Sequence, residues 1–339
     1  MDLRGEALAA RAERLEQPGG AAQDDLTARL SRLQAGHPSS PWQEDGSPRP
    51  PEPRLSDLET PEPPLSDADY AAHRDRVADA LTRAGSMGLT TKDQFAIDKD
   101  GQAWSADRRQ VHDRIISEIM ESAAEVPCER RAVIAGGLGG AGKTTVLEKH
   151  AGIDRSSFLT INPDSFKETL AARGMVPELP GLSPMESSSL AHEESSHIAR
   201  MVAVRAMAEG KNIIWDVTLS SVRSAVTRVR ELLGAGYERV DGIFVDIPIE
   251  TSVERAAARH RRGHDLYLNG TGLGGRYVSG DIIRSQADAD HGSVNRRAFE
   301  TIKDELSYWA IYDNSVQGRD AILVDEGGRG HGRERLSNE

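Results

Sequence analysis

The clearest chemical pattern in this chain is a run of glycines followed by a lysine and a threonine. It fits G-x-x-x-x-G-K-[ST] at every fixed position. In such a loop the backbone N–H groups surround an anion, the lysine reaches the outer phosphates and the threonine hydroxyl can bind Mg²⁺. The pattern predicts nucleotide phosphate binding by Gly137, Leu138, Gly139, Gly140, Ala141, Gly142, Lys143, Thr144 and Thr145.

The sequence on either side favours a bound nucleoside triphosphate over a glycine-rich surface turn. Residues 132–135 are an apolar run that predicts a buried strand entering the loop, and residues 144–150 predict a helix leaving it. The anion would then meet the positive end of a helix. We therefore expect ATP and Mg²⁺ at this loop, with Thr144 among the metal ligands.

Phosphoryl transfer also needs a carboxylate near the metal and a base for the acceptor hydroxyl. Asp216 ends a predicted strand, which puts it in a position to face the phosphates. Asp164 follows another strand that Pro163 must stop, and Asp164 can both cap the next helix and accept a proton. Asp325 ends a late apolar run, which we assign to the sheet edge and discount as a catalytic group.

Arginines can supply the cations that phosphoryl transfer requires. Four lie close together on one predicted helix, where a solvated helix face is an equally good interpretation of the cluster alone. In a kinase, a helix followed by a glycine-rich loop would instead bring arginines over the triphosphate. Residues 270–275 satisfy G-x-G-x-x-G without the strand and helix of a dinucleotide site, and we interpret them as a mobile loop. The four arginines are Arg255, Arg259, Arg261 and Arg262.

Short apolar runs alternate with amphipathic helical stretches after Pro127. This alternation predicts an α/β fold with a doubly wound parallel sheet of about five strands and right-handed crossovers. Ligands bind such sheets at the carboxyl ends of the strands. The predicted strands are 132–135, 158–161, 212–215, 240–245 and 321–324, and the longest helices between them are 189–209 and 221–233.

Composition excludes several classes of protein. The formal net charge is −12, which argues against a nucleic acid as the main partner. Cys128 is the single cysteine, so no internal disulfide can form, and a reducing compartment is expected. No apolar stretch is long enough to cross a bilayer, and the first residues lack the apolar core of a signal peptide. We expect a cytoplasmic protein without a membrane partner.

Further sequence blocks follow the phosphate loop in a fixed order. They are N-P-D-S-F-K at 162–167, H-E-E-S-S at 192–196, W-D-V-T at 215–218 and G-R-Y-V at 275–278. Together with the loop, this series resembles the zeta-toxin family of small-molecule kinases over about residues 128–325. The resemblance implies a P-loop kinase-like fold and phosphorylation of a hydroxyl of UDP-N-acetylglucosamine, with ATP and Mg²⁺.

The resemblance also implies roles for individual residues. Lys143 and Thr144 would hold phosphates and metal, and Asp164 would be the catalytic base. Asp216 would bind substrate and metal, although it stands where many relatives have the longer Glu. Glu194 and Thr218 would contact the sugar nucleotide. The arginines implied for the transferred phosphoryl group are Arg255 and Arg276, with Arg259 and Arg262 as alternatives to Arg255.

We expect four regions in the chain, of which the resemblance covers only the kinase domain. Residues 126–328 form the kinase domain, and residues 69–125 show helical spacing of apolar residues that predicts a helical appendage. Residues 1–68 are acidic and rich in Pro, Ser and Gly, a composition that predicts a largely disordered tail. Residues 329–339 are expected to form a flexible C-terminal tail.

Other functions stay open at this point. A kinase of the same fold could phosphorylate another hydroxyl, on an antibiotic, a nucleoside or a nucleotide cofactor, because the phosphate machinery does not fix the acceptor. A nucleotide-hydrolysing switch or a binding module belongs to another class. A toxic kinase must be restrained in its own cell, so we expect either an antitoxin protein or inhibition in cis by residues 69–122.

Overall fold

Short apolar strands form the main sheet in the computed structural model, which describes residues 65–329. Its six strands are β1 (Arg131–Gly136), β2 (Leu159–Ile161), β3 (Ile213–Asp216), β4 (Arg239–Asp246), β7 (Tyr308–Asp313) and β8 (Ile322–Gly327). They lie in the order β2, β3, β1, β4, β7, β8. A separate antiparallel pair consists of β5 (Ala287–Asp288) and β6 (Gly292–Ser293).

The main sheet is parallel except at one edge, where β8 runs antiparallel to β7. The prediction of a doubly wound parallel sheet is therefore confirmed. Sequence analysis missed β7, so the sheet has six strands where about five were expected. The late apolar run that ends near Asp325 forms β8 at the sheet edge, and its side chains are largely exposed.

Helices connect the strands and cover both faces of the sheet. They are α1 (Asp67–Ser86), α2 (Thr91–Phe95), α3 (Ala106–Ser122), α4 (Lys143–Lys149), α5 (Pro163–Ala172), α6 (Pro184–Ser187), α7 (His192–Glu209), α8 (Val222–Gly234), α9 (Ile249–Leu268), α10 (Gly280–Arg284) and α11 (Val294–Ile302). Short 3₁₀ turns occur at Arg155–Ser157, Ser188–Ala191 and Lys303–Glu305.

The start of α5 corrects one expectation about Asp164. Asn162 is the N-cap, and its side-chain oxygen accepts a hydrogen bond from the Asp164 backbone N–H at 2.9 Å. Pro163 occupies the first helical position, where its missing N–H and fixed φ cost nothing, so the cap falls on the residue before it. The Asp164 carboxylate is thereby left available for other contacts.

Strand β1 contributes to two hydrophobic clusters, one on each face of the sheet. Ala132 and Ile134 belong to one cluster, which includes Val202 of α7. Val133 belongs to the other, together with Leu147 of α4. A central parallel strand is buried on both faces, which explains why this segment of the sequence is continuously apolar.

The parallel register brings three strand ends to one edge of the sheet. Ile161 of β2 is level with Trp215 of β3, and Ala135 of β1 is level with Asp216. The phosphate loop follows β1, Asn162 follows β2, and Asp216 is the last residue of β3. The strand pairing therefore assembles the segments in which the sequence predicts chemistry.

Helices α1 to α3 occupy the region predicted as helical before the P-loop, and α1 begins two residues earlier than expected, at Asp67. Ile115 and Met120 of α3 are buried in the same hydrophobic cluster as α7. Arg108 of α3 donates from Nε to Glu194 Oε1 at 2.6 Å, and His112 Nε2 lies 2.7 Å from the same oxygen. The described residues belong to one compact unit that includes these three helices.

The outer parts of the chain fall outside the structure. The tail predicted for residues 1–68 is described only from residue 65, and the predicted C-terminal tail only at residue 329. Among residues 65–329, none of the helices combines the length and apolar character needed to cross a membrane.

We predict that Arg108→Met lowers the free energy of unfolding by about 3 kcal/mol, because it leaves the fully buried Glu194 carboxylate without its guanidinium partner. The matched control is Arg173→Met, which breaks an exposed ion pair with Glu118 and should cost less than about 1 kcal/mol. Urea denaturation followed by circular dichroism measures both. Equal losses of unfolding free energy in the two variants would contradict the larger contribution that we assign to the buried Arg108–Glu194 pair.

Candidate active site at the strand ends

The phosphate loop connects the buried strand β1 to helix α4. Gly142 caps α4 in the left-handed conformation, with φ of 85°. A Cβ atom at this position would lie 2.5 Å from Nδ2 of Asn314, which donates to the Ala141 carbonyl at 2.7 Å. Glycine is needed here for its backbone conformation and for this close contact.

Lys143 joins the loop to the end of β3. Its Nζ donates to the Gly137 carbonyl at 3.3 Å and lies 3.4 Å from Asp216 Oδ1. Asn162 Nδ2 donates to the other carboxylate oxygen, Asp216 Oδ2, at 2.9 Å. Side chains from the ends of β1, β2 and β3 are thus linked around one carboxylate.

Thr144 and Asp216 are the residues predicted to bind Mg²⁺. Thr144 lies in the first turn of α4 and is exposed. Asp216 Oδ1 is a buried oxygen that accepts no hydrogen bond from any residue between 65 and 329. A hydroxyl and a carboxylate oxygen with spare acceptor capacity are ligands that Mg²⁺ prefers, so these two residues fit the metal.

Asp164 is surrounded by cations. Arg276 Nη1 pairs with Asp164 Oδ2, Lys167 Nζ lies 3.4 Å from Oδ1, and Arg259 acts on the carboxylate electrostatically. Burial raises the pKa of Asp164, but the three cations outweigh burial and hold the pKa below its ordinary value. The group is therefore ionised at neutral pH and can accept a proton from a nearby hydroxyl.

Helix α9 contacts the phosphate loop from the side. Ser252 Oγ donates to the Gly139 carbonyl at 2.7 Å, and Arg255 Nη1 donates to the Gly140 carbonyl at 3.2 Å. Arg255 Nη2 also donates to the backbone carbonyl of Asn314 at 2.9 Å. The predicted phosphoryl-binding arginine Arg255 therefore lies at the loop, one helical turn from Arg259.

The glycine-rich stretch before Arg276 packs tightly against α9. A Cβ atom at Gly275 would lie 1.9 Å from the His260 carbonyl oxygen, and one at Gly263 would lie 2.6 Å from the Gly275 Cα. Backbone meets backbone at this contact, which only glycine permits. The sequence predicts a mobile loop at 270–275. In the structure its last glycine, Gly275, packs against α9 and so places the next residue, Arg276, beside that helix.

A cavity of about 350 Å³ lies beside Arg259 and Arg276, two of the cations around Asp164. Its walls include Arg259, Arg262 and Arg276, together with Glu168 and Met185. The preponderance of arginine gives the cavity a positive lining, which favours an anionic occupant. Arg262, an alternative to Arg255 in the sequence interpretation, therefore faces the cavity, while Arg255 contacts the phosphate loop.

The remaining two predicted site residues, Thr218 and Glu194, differ in their exposure to solvent. Thr218 is exposed just beyond the end of β3, and its backbone carbonyl accepts a hydrogen bond from Asn295 Nδ2 at 2.7 Å. Glu194, for which the sequence predicts contact with a sugar nucleotide, has no exposed side-chain surface and is engaged with Arg108 and His112. Hydrogen bonds from these partners hold the pKa of Glu194 below its ordinary value despite burial.

Sequence analysis missed several residues of this site. Asn162 carries the hydrogen bond that links β2 to Asp216, and Ser252 and Asn314 fix carbonyls of the phosphate loop. Asn162 had a detectable signal, because it precedes Pro163 at a predicted strand end. For Asn314 the sequence favours a plain turn over a contact with the adenine; in the structure it follows β7, the strand that was not predicted.

A strand, phosphate loop and helix at the carboxyl edge of a doubly wound sheet, with a carboxylate and arginines converging on it, define a P-loop phosphotransferase. A family model described as zeta toxin matches residues 116–317, which is more than half of the chain. The chain therefore belongs to the zeta toxin family, whose members are kinases. This confirms the resemblance inferred from the sequence blocks.

Solved structures with a similar fold are distant in sequence. A crystal structure of AvrRxo1-ORF1:AvrRxo1-ORF2 with sulphate ions is 16% identical with a TM-score of 0.48, covering 70% of this chain and 76% of that chain. A structure from the PezAT chromosomal toxin-antitoxin system of Streptococcus pneumoniae is 18% identical with a TM-score of 0.45, covering 66% of this chain and 83% of that chain. The curated proteins include no significant match.

We predict that Gly142→Ala lowers the free energy of unfolding by about 1–2 kcal/mol, because a side chain there is strained in the left-handed region and must displace Asn314. Gly139→Ala is the matched control in the same loop, since its Cβ would meet no atom within 4 Å. Its stability should change by less than about 0.5 kcal/mol. Urea denaturation without nucleotide provides the measurement, and a comparable loss in both variants would count against this account.

We predict that Arg276→Gln moves the acid limb of the kinase's kcat/KM profile to higher pH. The substitution removes the nearest cation from Asp164 while leaving the carboxyl half-buried, so the pKa of Asp164 rises. An Asp164 that acts as the base would then become protonated, and lose that function, at a higher pH. Turnover measured across the acid range tests this. The control is Arg284→Gln, which removes an exposed arginine paired with Glu250 and should leave the acid limb in place. An acid limb that does not move in Arg276→Gln would rule out an effect of the Arg276 charge on the pKa of the catalytic group.

Proposed function

We propose that this protein is an ATP- and Mg²⁺-dependent kinase that phosphorylates a hydroxyl of UDP-N-acetylglucosamine. The observation that carries the proposal is the hydrogen bond from Asn162 to Asp216, 2.9 Å long, which joins the two halves of the site. On one side of it lies Lys143 with the phosphate loop. On the other lies Asp164, two residues beyond Asn162, so a donor phosphate and an acceptor hydroxyl could meet between them.

Each residue then has a defined role. The loop and Lys143 bind the phosphates of ATP, and Thr144 and Asp216 hold Mg²⁺, which neutralises charge on the transferred group. Asp164 accepts the proton of the acceptor hydroxyl. Arg255 and Arg276 stabilise negative charge on the phosphoryl group during transfer.

The cavity beside Arg276, the partner of Asp164, supports an anionic acceptor. Its lining by Arg259, Arg262 and Arg276 suits a nucleoside diphosphate, because guanidinium groups bind phosphates through paired N–H donors. The exposed Thr218 at the end of β3 could contact the same ligand. We assign Glu194 a positioning role, because its buried carboxylate would have to leave Arg108 to reach a substrate.

We further propose that an antitoxin protein restrains the enzyme. Inhibition in cis by residues 69–122 has less support, because the side-chain bonds that α1 and α3 make within residues 65–329 go to groups such as Glu186, Glu194 and His260 and not to residues 137–145 of the phosphate loop. These are buried contacts of the kind that build a core. Helices α1 and α3 thus support the site from outside it.

The proposal predicts transfer of phosphate from ATP to UDP-N-acetylglucosamine by the purified protein with Mg²⁺, detected by mass spectrometry of the product. Asp164→Asn should lower kcat by about 10²–10⁴-fold because it removes the base. Asp281→Asn, which changes a carboxylate that is 94% exposed, is the matched control and should retain full activity. Asp164→Asn with unchanged kcat would exclude Asp164 as the base.

A panel of other acceptors distinguishes the alternatives in the same assay. Phosphorylation of a nucleoside, an antibiotic or a nucleotide cofactor, with none of UDP-N-acetylglucosamine, would retain the kinase and overturn the acceptor. ATP hydrolysis that proceeds at full rate without any acceptor would indicate a nucleotide-hydrolysing switch.

A further inference from the structure

Three histidines and one glutamate meet in the interior where α1, α6 and α9 come together. His73 Nε2 lies 2.7 Å from Glu186 Oε1, and His260 Nε2 lies 2.9 Å from the same oxygen. His264 Nδ1 is 3.5 Å from it. The side chains are between 0% and 8% exposed, so this His–Glu cluster is shielded from solvent.

The hydrogen bonds around His260 leave a lone pair pointing at the glutamate. Tyr70 Oη donates its single hydrogen to the Ala257 carbonyl at 2.8 Å, and it also lies 2.7 Å from His260 Nδ1. With that hydrogen given to Ala257, Nδ1 of His260 carries the proton and donates to Tyr70. In this tautomer of neutral His260, Nε2 has only a lone pair, and at 2.9 Å it faces the Glu186 oxygen without a hydrogen between them. A cation between the two atoms, either a second proton on the ring or a metal ion, suits this arrangement.

His264 supplies a second, independent observation. Its Nδ1 is buried and accepts or donates no hydrogen bond within residues 65–329, although the side chain is only 8% exposed. Unpartnered buried nitrogens are costly and rare in folded proteins. His264 follows His260 by four residues on α9, so both rings project from the same face of the helix. A pair of histidines at this spacing is a common metal-binding arrangement on helices.

We propose that this cluster binds a zinc ion through His73, Glu186 and His260, with His264 as the fourth ligand. The ligand atoms of His73, Glu186 and His260 all lie within 4.8 Å of one another. Ligands about 2.0–2.2 Å from zinc in a tetrahedral site lie roughly 3.3 Å apart, close to the spacing seen here. Imidazole nitrogens with one carboxylate oxygen suit Zn²⁺ and disfavour Mg²⁺ and Ca²⁺, which take oxygen ligands.

Neighbouring groups orient these ligands as outer-shell partners do in zinc sites. Tyr70 fixes the tautomer of His260 by accepting from Nδ1. The Ser183 backbone N–H and Oγ donate to Glu186 Oε2 at 2.7 and 2.9 Å, which leaves Oε1 to face the histidines. The glutamate thus serves both as the third residue of a helix capping box and as a ligand.

The position of the site indicates a structural role. A zinc ion would join α1 and α6 to α9, the helix that carries Arg255 to the phosphate loop. Zinc sites with four protein ligands and no open position are structural, and their binding energy adds to folding stability. The inference depends only on these buried groups, and it stands or falls separately from the identity of the acceptor.

The test is the metal content of the full chain, produced without an affinity tag in zinc-supplemented medium and purified without chelator. Inductively coupled plasma mass spectrometry after gel filtration should give close to one zinc per chain. Protein loaded with Co²⁺ in place of zinc should show the visible absorption of tetrahedral cobalt. A well-folded wild-type chain with less than about a tenth of an equivalent of zinc, and no cobalt absorption, would overturn the proposal and leave a histidinium–carboxylate cluster.

Substitutions in the His–Glu cluster test whether the zinc ion binds there. His73→Gln and His264→Gln should weaken zinc affinity by more than about tenfold, measured by competition with a chromogenic chelator. They should also lose the rise in Tm that zinc gives the wild-type chain. His150→Gln, a half-buried histidine outside the cluster, is the matched control and should keep full zinc content. Zinc retained at wild-type affinity in both cluster variants would place the metal elsewhere and reject this site.

Discussion

The parallel register of β2, β3 and β1 is the constraint on which the rest of the site depends. It ends three strands at the same edge, so that the phosphate loop, Asn162 and Asp216 become neighbours although they are far apart in sequence. The contacts of Lys143 and Asn162 with the Asp216 carboxylate exist only in this register. A slip of one residue in β3 would turn Asp216 to the opposite face of the sheet and separate the two halves of the site.

Helix α9 is the second element on which the site depends, because its arginines reach both halves of the site. Arg255 and Arg259 are one turn apart, so they project from one face, the first toward the phosphate loop and the second toward Asp164. The contact of Gly275 with the His260 carbonyl seats the following loop against the same helix and brings Arg276 to Asp164. The charge around the Asp164 carboxylate is therefore set by α9, by the segment packed on it and by Lys167 of α5.

Sequence could predict those parts of the site in which local pattern and chemistry coincide. The loop from Gly137 to Thr144 and the carboxylate at the end of β3 were predictable, because phosphate loops and parallel strands leave local signatures. Strand β7 was missed, although its tyrosines, tryptophan and isoleucine are residues that favour strands. The burial of Glu194 was equally invisible, because its partner Arg108 lies 86 residues away and only the fold reveals the pair.

Buried charge explains why α1 and α3 belong with the kinase. Glu194 and Glu186 are both fully buried, and a buried carboxylate must be paired to be tolerated. The partners of Glu194 are Arg108 and His112 of α3, and a partner of Glu186 is His73 of α1. The family match begins only at residue 116, inside α3. The family match therefore leaves out His73, Arg108 and His112, which neutralise the buried glutamates. The folding unit extends further toward the N-terminus than the sequence match does, because it includes these partners.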